Sequence, residues 1–416
     1  MRIELVTVGT ELLLGFTVDT NSAWIGRALA AVGVQVVRRT SIADTPDAIR
    51  DAVDAALSRT GFVLTTGGLG PTRDDLTKLV IAELLEQPLR FDEAIWAMLS
   101  ERWAKLGRTL VESNRSQAMV PAGATVLTNH WGSAPGLWLD SPRGIVVMLP
   151  GVPSEMTRLM EYEVLPRLAA RGDGTVIRST TVRTSGIGES VLAERIGALE
   201  DELAPLSLAY LPGVAGVDLR VTAWGLPAAE ADARLADASA RLHAHIGVHA
   251  WGDGEDDLAT LLLAALRVRG NSLAIAESCT GGLLGGRLTE APGSSDVFRG
   301  GVIAYSNRAK GDLLDVPNAV IEAHGAVSRE VAEAMAAAVA TRFGADTAIS
   351  ITGVAGPGGG SAEKPVGTVW FGLLQGGVVD SVRMQFPGDR SEVRARATQA
   401  ALFGLWRRVQ AAQRGQ

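Results

Sequence analysis

Three consecutive side chains able to act as nucleophiles, Ser278, Cys279 and Thr280, follow the apolar run Leu273 to Ala276 and precede Gly281-Gly282. The apolar run reads as a buried strand, and the paired glycines lead into a helix. A hydroxyl at a strand-to-helix turn is exposed, and a helix N-terminus turns backbone N–H groups towards developing negative charge. Serine becomes a useful nucleophile only when a base takes its proton, and a desolvated lysine can be that base. Tyr305 and Lys310 close the same stretch and can activate or orient such a hydroxyl. Cys279 is the rival nucleophile, intrinsically better than serine. Adjacent side chains on a strand point to opposite faces, so if strand geometry reaches this far only one of the two faces a pocket.

The elements that must position these groups alternate along the chain. Over residues 1 to about 165 the pattern predicts strands at Ile3–Val8, Val34–Arg38, Phe62–Thr66 and Gly144–Leu149. Between them, helices are predicted at Asn21–Val32, Pro46–Leu57, Asp75–Leu85 and Glu93–Leu106, the last followed by a loop-rich region. Ser154 is expected to cap a further helix reaching about Leu168. Such alternation means parallel strands with crossover helices, and ligands bind beyond the carboxyl ends of such strands. Three glycine-rich strand ends stand out: 9–11, 65–75 and 149–156. The central one, T-T-G-G-L-G-P-T-R-D-D, is neither a Walker A loop nor a G-x-G-x-x-G fingerprint. By itself it reads as an ordinary strand-to-helix turn with capping aspartates.

Past Arg171 the texture changes to a linker-like run, and the order βαββαβ predicts a small α+β module. Gly213-Val214-Ala215-Gly216 has G-x-x-G spacing but lies between two predicted strands with no basic cluster beside it. His243, His245 and His249 do not share one helical face and read as surface residues. After G-D-G-E-D-D (252–257) a third domain begins, with Asp256 or Asp257 capping a helix. In it Ser328 caps a helix to Phe343, Thr347–Ile351 is a strand, and two hairpin strands precede a terminal helix from Ser391.

With 416 residues, 47% apolar, the chain has material for two to three domains and no disordered character. A formal charge of −7 argues against a general nucleic-acid surface. The single cysteine excludes an intrachain disulfide framework and fits a reducing cytosol. The longest apolar runs are too short to span a bilayer, and the first residues read as a strand rather than a signal peptide. A cytoplasmic location without membrane association is therefore expected.

A set of motifs in the last third of the chain resembles a known family. E-S-C-T-G-G, P-G-S-S, Y-S-N-R-A-K, H-G-A-V-S, I-T-G-V-A-G-P-G-G-G-S, K-P-V-G-T-V-W and F-P-G-D-R are similar, in order, to the nicotinamide-nucleotide amidohydrolase domain of CinA (competence/damage-inducible protein A) proteins. G-T-E-L-L-L-G, D-T-N-S, G-G-L-G-P-T-R-D-D, N-R-S-Q-A, N-H-W-G-S-A-P-G and L-P-G-V-P-S-E-M resemble the molybdopterin-binding-like domain that precedes it in that family. The resemblance implies three domains: 1–170 parallel-sheet α/β, 171–252 KH-like α+β, and 253–416 an α/β amidohydrolase domain. It also implies a homodimer.

For the last domain, the resemblance implies metal-free hydrolysis of the carboxamide of nicotinamide mononucleotide. Ser278 would be the nucleophile, Lys310 its base and Tyr305 an orienting group, with Cys279 a buried apolar residue. Ser295 is read as either a turn residue or a proton relay between Ser278 and Lys310. Thr280, Gly281, Thr352, Gly353 and Gly356 are expected at the substrate, with Arg390 as charge partner of its phosphate. For the first domain, the resemblance implies hydrolysis of ADP-ribose with a divalent metal. Gly67, Gly68, Gly70, Thr72, Glu11 and Asn21 would contact the nucleotide, and Asp74 and Asp75 the metal. The alternative is a nucleotide-binding or competence-associated protein that keeps the folds without turnover.

Overall fold

The computed structural model describes residues 1–413. By internal contacts the chain divides into two compact units: residues 1–178 with 222–234, and residues 179–221 with 235–416. The run 252–257, which reads as a linker, therefore does not separate compact units.

The first unit contains a six-stranded sheet. Its strands are β1 (Arg2–Val8), β2 (Gln35–Ile42), β3 (Phe62–Thr66), β6 (Ala124–Leu127), β7 (Gly136–Ser141) and β8 (Gly144–Leu149), while β4 (Leu89–Phe91) and β5 (Met119–Pro121) form a separate pair. The order is β2-β1-β3-β8-β7-β6; the first four strands are parallel and the last two antiparallel. Strands buried on both faces favour apolar residues at successive positions, which is why Phe62–Leu64 of β3 and Ile145–Leu149 of β8 read as continuous runs. Ile3, Leu5, Phe62, Leu64, Val147 and Leu149 pack on one side with the helices Thr20–Ala31 and Pro153–Leu159. Val6, Val8, Val63, Val146 and Met148 pack on the other with the helices Pro46–Thr60 and Thr77–Leu84. The region expected to be loop-rich supplies β5, β6 and β7. These strands are three to six residues long, too short for an alternation to stand out from turn residues. The expected Ser154 cap is not formed: Val152 occupies the N-cap position, with Pro153 as the first helical residue.

The middle module has β9 (Thr175–Thr184), β10 (Ser207–Pro212), β11 (Val217–Pro227) and β12 (Ala250–Asp253), in the order β10-β11-β9-β12. The G-x-x-G segment is the β10–β11 turn, where Gly213 N–H donates to the Gly216 carbonyl at 2.8 Å. His243 pairs with Asp253 at 3.0 Å and His249 stacks on Phe403.

The last domain has β13 (Leu273–Glu277), β14 (Phe298–Ile303), β15 (Thr347–Gly353), β16 (Thr368–Gln375) and β17 (Val378–Gln385), ordered β14-β13-β15-β16-β17. One face carries Ile275, Ile349, Ile351, Phe371 and Leu373 against the helices Leu258–Val268, Leu283–Glu290 and Arg390–Gln413. The other face is built from Ala274, Ala276 and Ala348, which let the helix Arg329–Phe343 approach closely. At Gly372 the approach leaves no room for a side chain, since a Cβ would lie 2.2 Å from the Ala332 carbonyl oxygen. Asp257 and Ser328 cap their helices by accepting from Thr260 and Val331 N–H. Among the described residues no helix is long and apolar enough to cross a membrane.

Candidate active sites

In the last domain, Ser278 leaves the C-terminal end of β13 and Lys310 lies one turn into the helix Asn307–Leu314. That helix follows β14, the parallel neighbour of β13, with Glu277 opposite Ile303. Adjacent parallel strands thus bring two residues 32 positions apart to one sheet edge. Lys310 Nζ donates to Ser278 Oγ at 3.0 Å and to the Ala304 carbonyl at 3.0 Å. Lys310 is 1% exposed, and burial pushes its ammonium below the ordinary lysine value. A lysine so placed holds its proton less tightly and sits within transfer distance of a hydroxyl.

Cys279 turns the other way, into the cluster with Ile351, Ala355 and Val369. Burial pushes its thiol up to about 11, the nearby Lys310 and Arg394 only partly opposing this. The thiolate is the reactive form, so at neutral pH this cysteine is inert. Cys279→Ala is expected to retain activity within about threefold of the parent, because it removes packing and no reacting group. Native protein at pH 7 should also resist alkylation by iodoacetamide, read by intact mass. Rapid alkylation with loss of activity would reverse this reading.

Glu277, which the residue pattern leaves as the end of a strand, is 1% exposed and organises the turn. Its carboxylate accepts from Gly282 N–H at 3.0 Å, Leu284 N–H at 3.2 Å and Gly285 N–H at 2.8 Å. The helix N-terminus expected to face developing charge is therefore already occupied by a carboxylate of the same turn. The N–H groups of Cys279 and Thr280, immediately after Ser278, meet no oxygen acceptor among the described residues. These two are the candidate donors to an oxyanion formed at Ser278. The E of E-S-C-T-G-G was the available signal.

Other expected positions are only partly gathered. Tyr305 is 58% exposed, and its hydroxyl accepts from Arg390 Nη2 at 2.6 Å rather than meeting Lys310 or Ser278. Arg390 Nη1 donates to the Gly356 carbonyl at 2.7 Å, so Tyr305, Arg390 and Gly356 form one cluster. Arg394, which the residue pattern did not single out, donates to the Thr280 carbonyl at 2.8 Å. Thr280 Oγ1 is buried without a hydrogen-bond partner. Gly281, at φ +59°, makes the turn itself, its N–H donating to the Ser278 carbonyl.

Two expectations are corrected. Ser295 precedes β14 and so lies at the opposite end of the strands from Ser278, about 16 Å away at 3.3 Å per residue. It is an exposed turn residue and cannot relay a proton. The Thr352 hydroxyl donates to the Ala326 carbonyl at 2.7 Å and is 1% exposed, so it fastens β15 to a neighbouring loop. Gly353 has a packing reason of its own to be glycine: a Cβ there would meet Thr368 O and Val369 Cγ2 at 2.8 Å.

In the first unit the glycine-rich loop after β3 has Gly67 and Gly68 at φ +105° and +69°. A Cβ on Gly67 would lie 2.2 Å from Val8 O, and one on Gly68 would lie 2.1 Å from Thr77 Oγ1. Asp75 accepts from Thr72 N–H at 2.8 Å and Thr72 Oγ1 at 2.5 Å; a Cβ on Gly70 would fall 2.5 Å from the same carboxylate. Asp74 is exposed beside it. Glu11 and Asn21 line a small pocket with Val8, Thr66 and Gly151, beside the start of this loop, where Asn21 Nδ2 donates to the Gly151 carbonyl at 2.8 Å. Asn21 Oδ1 and Thr77 Oγ1 are buried without hydrogen-bond partners among the described residues.

Residue types alone missed the framework behind these loops. Lys78 Nζ donates to the Ser116 carbonyl at 2.5 Å, and burial lowers its value to about 8. Asn114 donates to Gln117, Gln117 to Ser133, and Asn129 to Glu155. Three of the quoted motifs, 114–118, 129–136 and 149–156, are thereby tied together by side chains within them.

The comparisons with known proteins fit this geometry. Residues 4–170 match the probable molybdopterin binding domain, 179–252 the damage-inducible protein CinA KH domain, and 255–409 the CinA C-terminal domain. A CinA-like protein of Gemmatimonas aurantiaca is 52% identical over 98% of this chain and 96% of its own length. The chain belongs to the CinA family. Other CinA-like proteins are 42% identical: that of Salinibacter ruber covers 94% of this chain and 95% of itself, and that of Synechocystis sp. 99% and 100%. The CinA C-terminal domain match contains Glu277, Ser278, Lys310, Tyr305, Arg390 and Arg394.

Proposed function

We propose that the last domain hydrolyses the carboxamide of nicotinamide mononucleotide to nicotinic acid mononucleotide and ammonia. The observation that carries this reading is the 3.0 Å contact between a buried, proton-shedding Lys310 and Ser278 Oγ. Neutral Lys310 takes the Ser278 proton as Oγ attacks the amide carbon, and the N–H groups of Cys279 and Thr280 receive the oxyanion. The resulting ammonium returns that proton to the departing nitrogen, releasing ammonia and leaving an ester on Ser278. Lys310, neutral again, takes a proton from water as the hydroxide equivalent attacks the ester; Ser278 Oγ leaves and recovers the proton. The Ala304 carbonyl fixes the direction of the amine throughout. Arg390, held by Gly356 and Tyr305, is the residue suited to the substrate phosphate. Ammonia release from nicotinamide mononucleotide, absent with nicotinamide riboside, tests both the reaction and the phosphate requirement. No release from the nucleotide would leave the alternative of a nucleotide-binding protein.

For the first domain we propose a metal-dependent ADP-ribose pyrophosphatase. Among the described residues no three His, Cys, Asp or Glu side chains gather into a protein-only metal cage. Asp74 and Asp75 instead fit an ion such as Mg²⁺, which takes one or two carboxylates and completes its shell with substrate phosphates and water. Such an ion would neutralise the pyrophosphate when bound. Asp75 also closes the loop through Thr72, and the buried, unpartnered Asn21 Oδ1 and Thr77 Oγ1 are polar atoms suited to a nucleotide. Asp75→Asn is expected to lower AMP release from ADP-ribose about a hundredfold or more, as is excess chelator, leaving ammonia release unchanged. AMP release persisting in chelator would remove the metal from this reading.

A further inference from the structure

The second unit contains a solvent-open cleft of about 740 Å³ that none of the chemistry above uses. Its floor is the face of β16 and β17 carrying Phe371, Leu373, Val382 and Met384. One wall is the helix Arg390–Gln413, where Arg396, Gln399, Phe403 and Arg407 recur at helical spacing and share a face. The opposite wall is made by the turns 185–189 and 212–217 of the middle module, the second containing the G-x-x-G segment.

The walls are fixed by buried hydrogen bonds. Ser185, 2% exposed, donates to the Ala215 carbonyl at 2.8 Å and accepts from Trp251 Nε1 and Gln399 Nε2, both at 3.1 Å. Gly186 approaches Phe403 so closely that a Cβ there would lie 2.9 Å from the ring. The space is therefore pre-formed. Its size falls within the roughly 300–1,000 Å³ of small-molecule sites, which are apolar with a few placed polar groups.

The polar groups here select the charge of the occupant. Arg396 Nε is buried and has no hydrogen-bond partner among the described residues. A buried guanidinium N–H without an acceptor is unfavourable, and an anion is the partner it lacks. Arg407 lies further along the same helix face, its guanidinium 6.0 Å from the Phe403 ring centroid. Glu189 is the single acidic residue of the lining.

We propose that this cavity binds a small amphipathic anion: an aromatic or aliphatic body on the Phe371–Phe403 side and a carboxylate, sulfonate or phosphate on Arg396. The helix that presents Arg396 also presents Arg390 and Arg394 to the Ser278 side of the domain. The site is separate from the Ser278 centre and stands whether or not that centre is a deamidase.

The full chain is titrated with 1-anilinonaphthalene-8-sulfonate, an aromatic sulfonate, and the fluorescence rise is fitted for stoichiometry and Kd. One saturable site per chain is expected. Arg396→Met, which keeps the aliphatic stem, should weaken binding about tenfold or more, and the exposed Arg407→Gln should weaken it less. Ala400→Phe should abolish binding by filling the space, and saturating nicotinamide mononucleotide should leave the titration unchanged. Unchanged melting temperatures identify the variants that remain folded, and Arg407→Gln serves if Arg396→Met is not among them. Equal binding by the parent and every folded variant would overturn the proposal. So would displacement by nicotinamide mononucleotide, or binding without saturation.

Discussion

Ser278→Ala and Lys310→Met should each lower ammonia release from nicotinamide mononucleotide by about a thousandfold or more. Because the two side chains act as one unit across 3.0 Å, the double variant should be no worse than either single one. Lys310→Met keeps the buried volume, so its melting temperature should stay close to that of the parent or rise, since no desolvated amine remains. The pH profile provides an independent reading. Only neutral Lys310 accepts a proton, so kcat/KM should rise with pH along a limb whose midpoint lies below the ordinary lysine value, and be lost as pH falls through it. The same lowering has a stability consequence of fixed sign. Between the folded and unfolded values the unfolded chain binds more protons, so the Lys310 contribution to stability grows as pH rises through that window. An active Ser278→Ala protein with a dead Cys279→Ala protein would transfer the nucleophile to the thiol.

Glu277→Ala should be the most destabilising single change in the last domain. It removes the acceptor of three buried or half-buried N–H groups at once, those of Gly282, Leu284 and Gly285. Hydrogen bonds to a charged acceptor contribute about 1.5–3 kcal/mol each, and donors left unsatisfied add to the loss, so a total above about 3 kcal/mol is expected. At about 2–4 °C per kcal/mol for a domain of this size, the melting temperature should fall by about 10 °C. Glu277→Gln should recover only part of this, since one carboxylate oxygen becomes an NH₂ that meets N–H donors. Ammonia release should fall in both variants, because the turn that presents Ser278 and the Cys279 and Thr280 N–H groups is held by this carboxylate. A Glu277→Gln protein with parental melting temperature and activity would show that the carboxylate charge is dispensable and the cap shape alone suffices.

The sequence by itself determined the alternation of strands and helices outside 107–143, and with the family resemblance it named Ser278 and Lys310 as the candidate pair. β3 at Phe62–Thr66 and β8 at Gly144–Leu149 were legible to the residue because strands covered by helices on both faces carry runs of apolar residues, here Phe62–Leu64 and Ile145–Leu149. Ser278, Cys279 and Thr280 stood out together as candidate nucleophiles before a glycine turn, and it was the family resemblance that singled out Ser278 and Lys310 among the residues present. Which side of the turn each neighbour faces was left open until the backbone settled it, with Ser278 towards Lys310 and Cys279 towards Ile351 and Val369. Ser295 could not be separated from the site by spacing, since 17 residues of chain say nothing of which end of a parallel strand they reach. Register decided it, placing Phe298 beside Leu273 and Ile303 beside Glu277. Arg390, Tyr305 and Gly356 were each named from motifs, but only the meeting of a strand end, a loop and the terminal helix shows that they form one cluster. Glu277, Lys78 and the Arg396 cavity were invisible for a common reason. A charged residue in an apolar run, or on a helix face, acquires its role from the partners that folding supplies or withholds. That pairing is a property of tertiary contacts and not of neighbours in the chain.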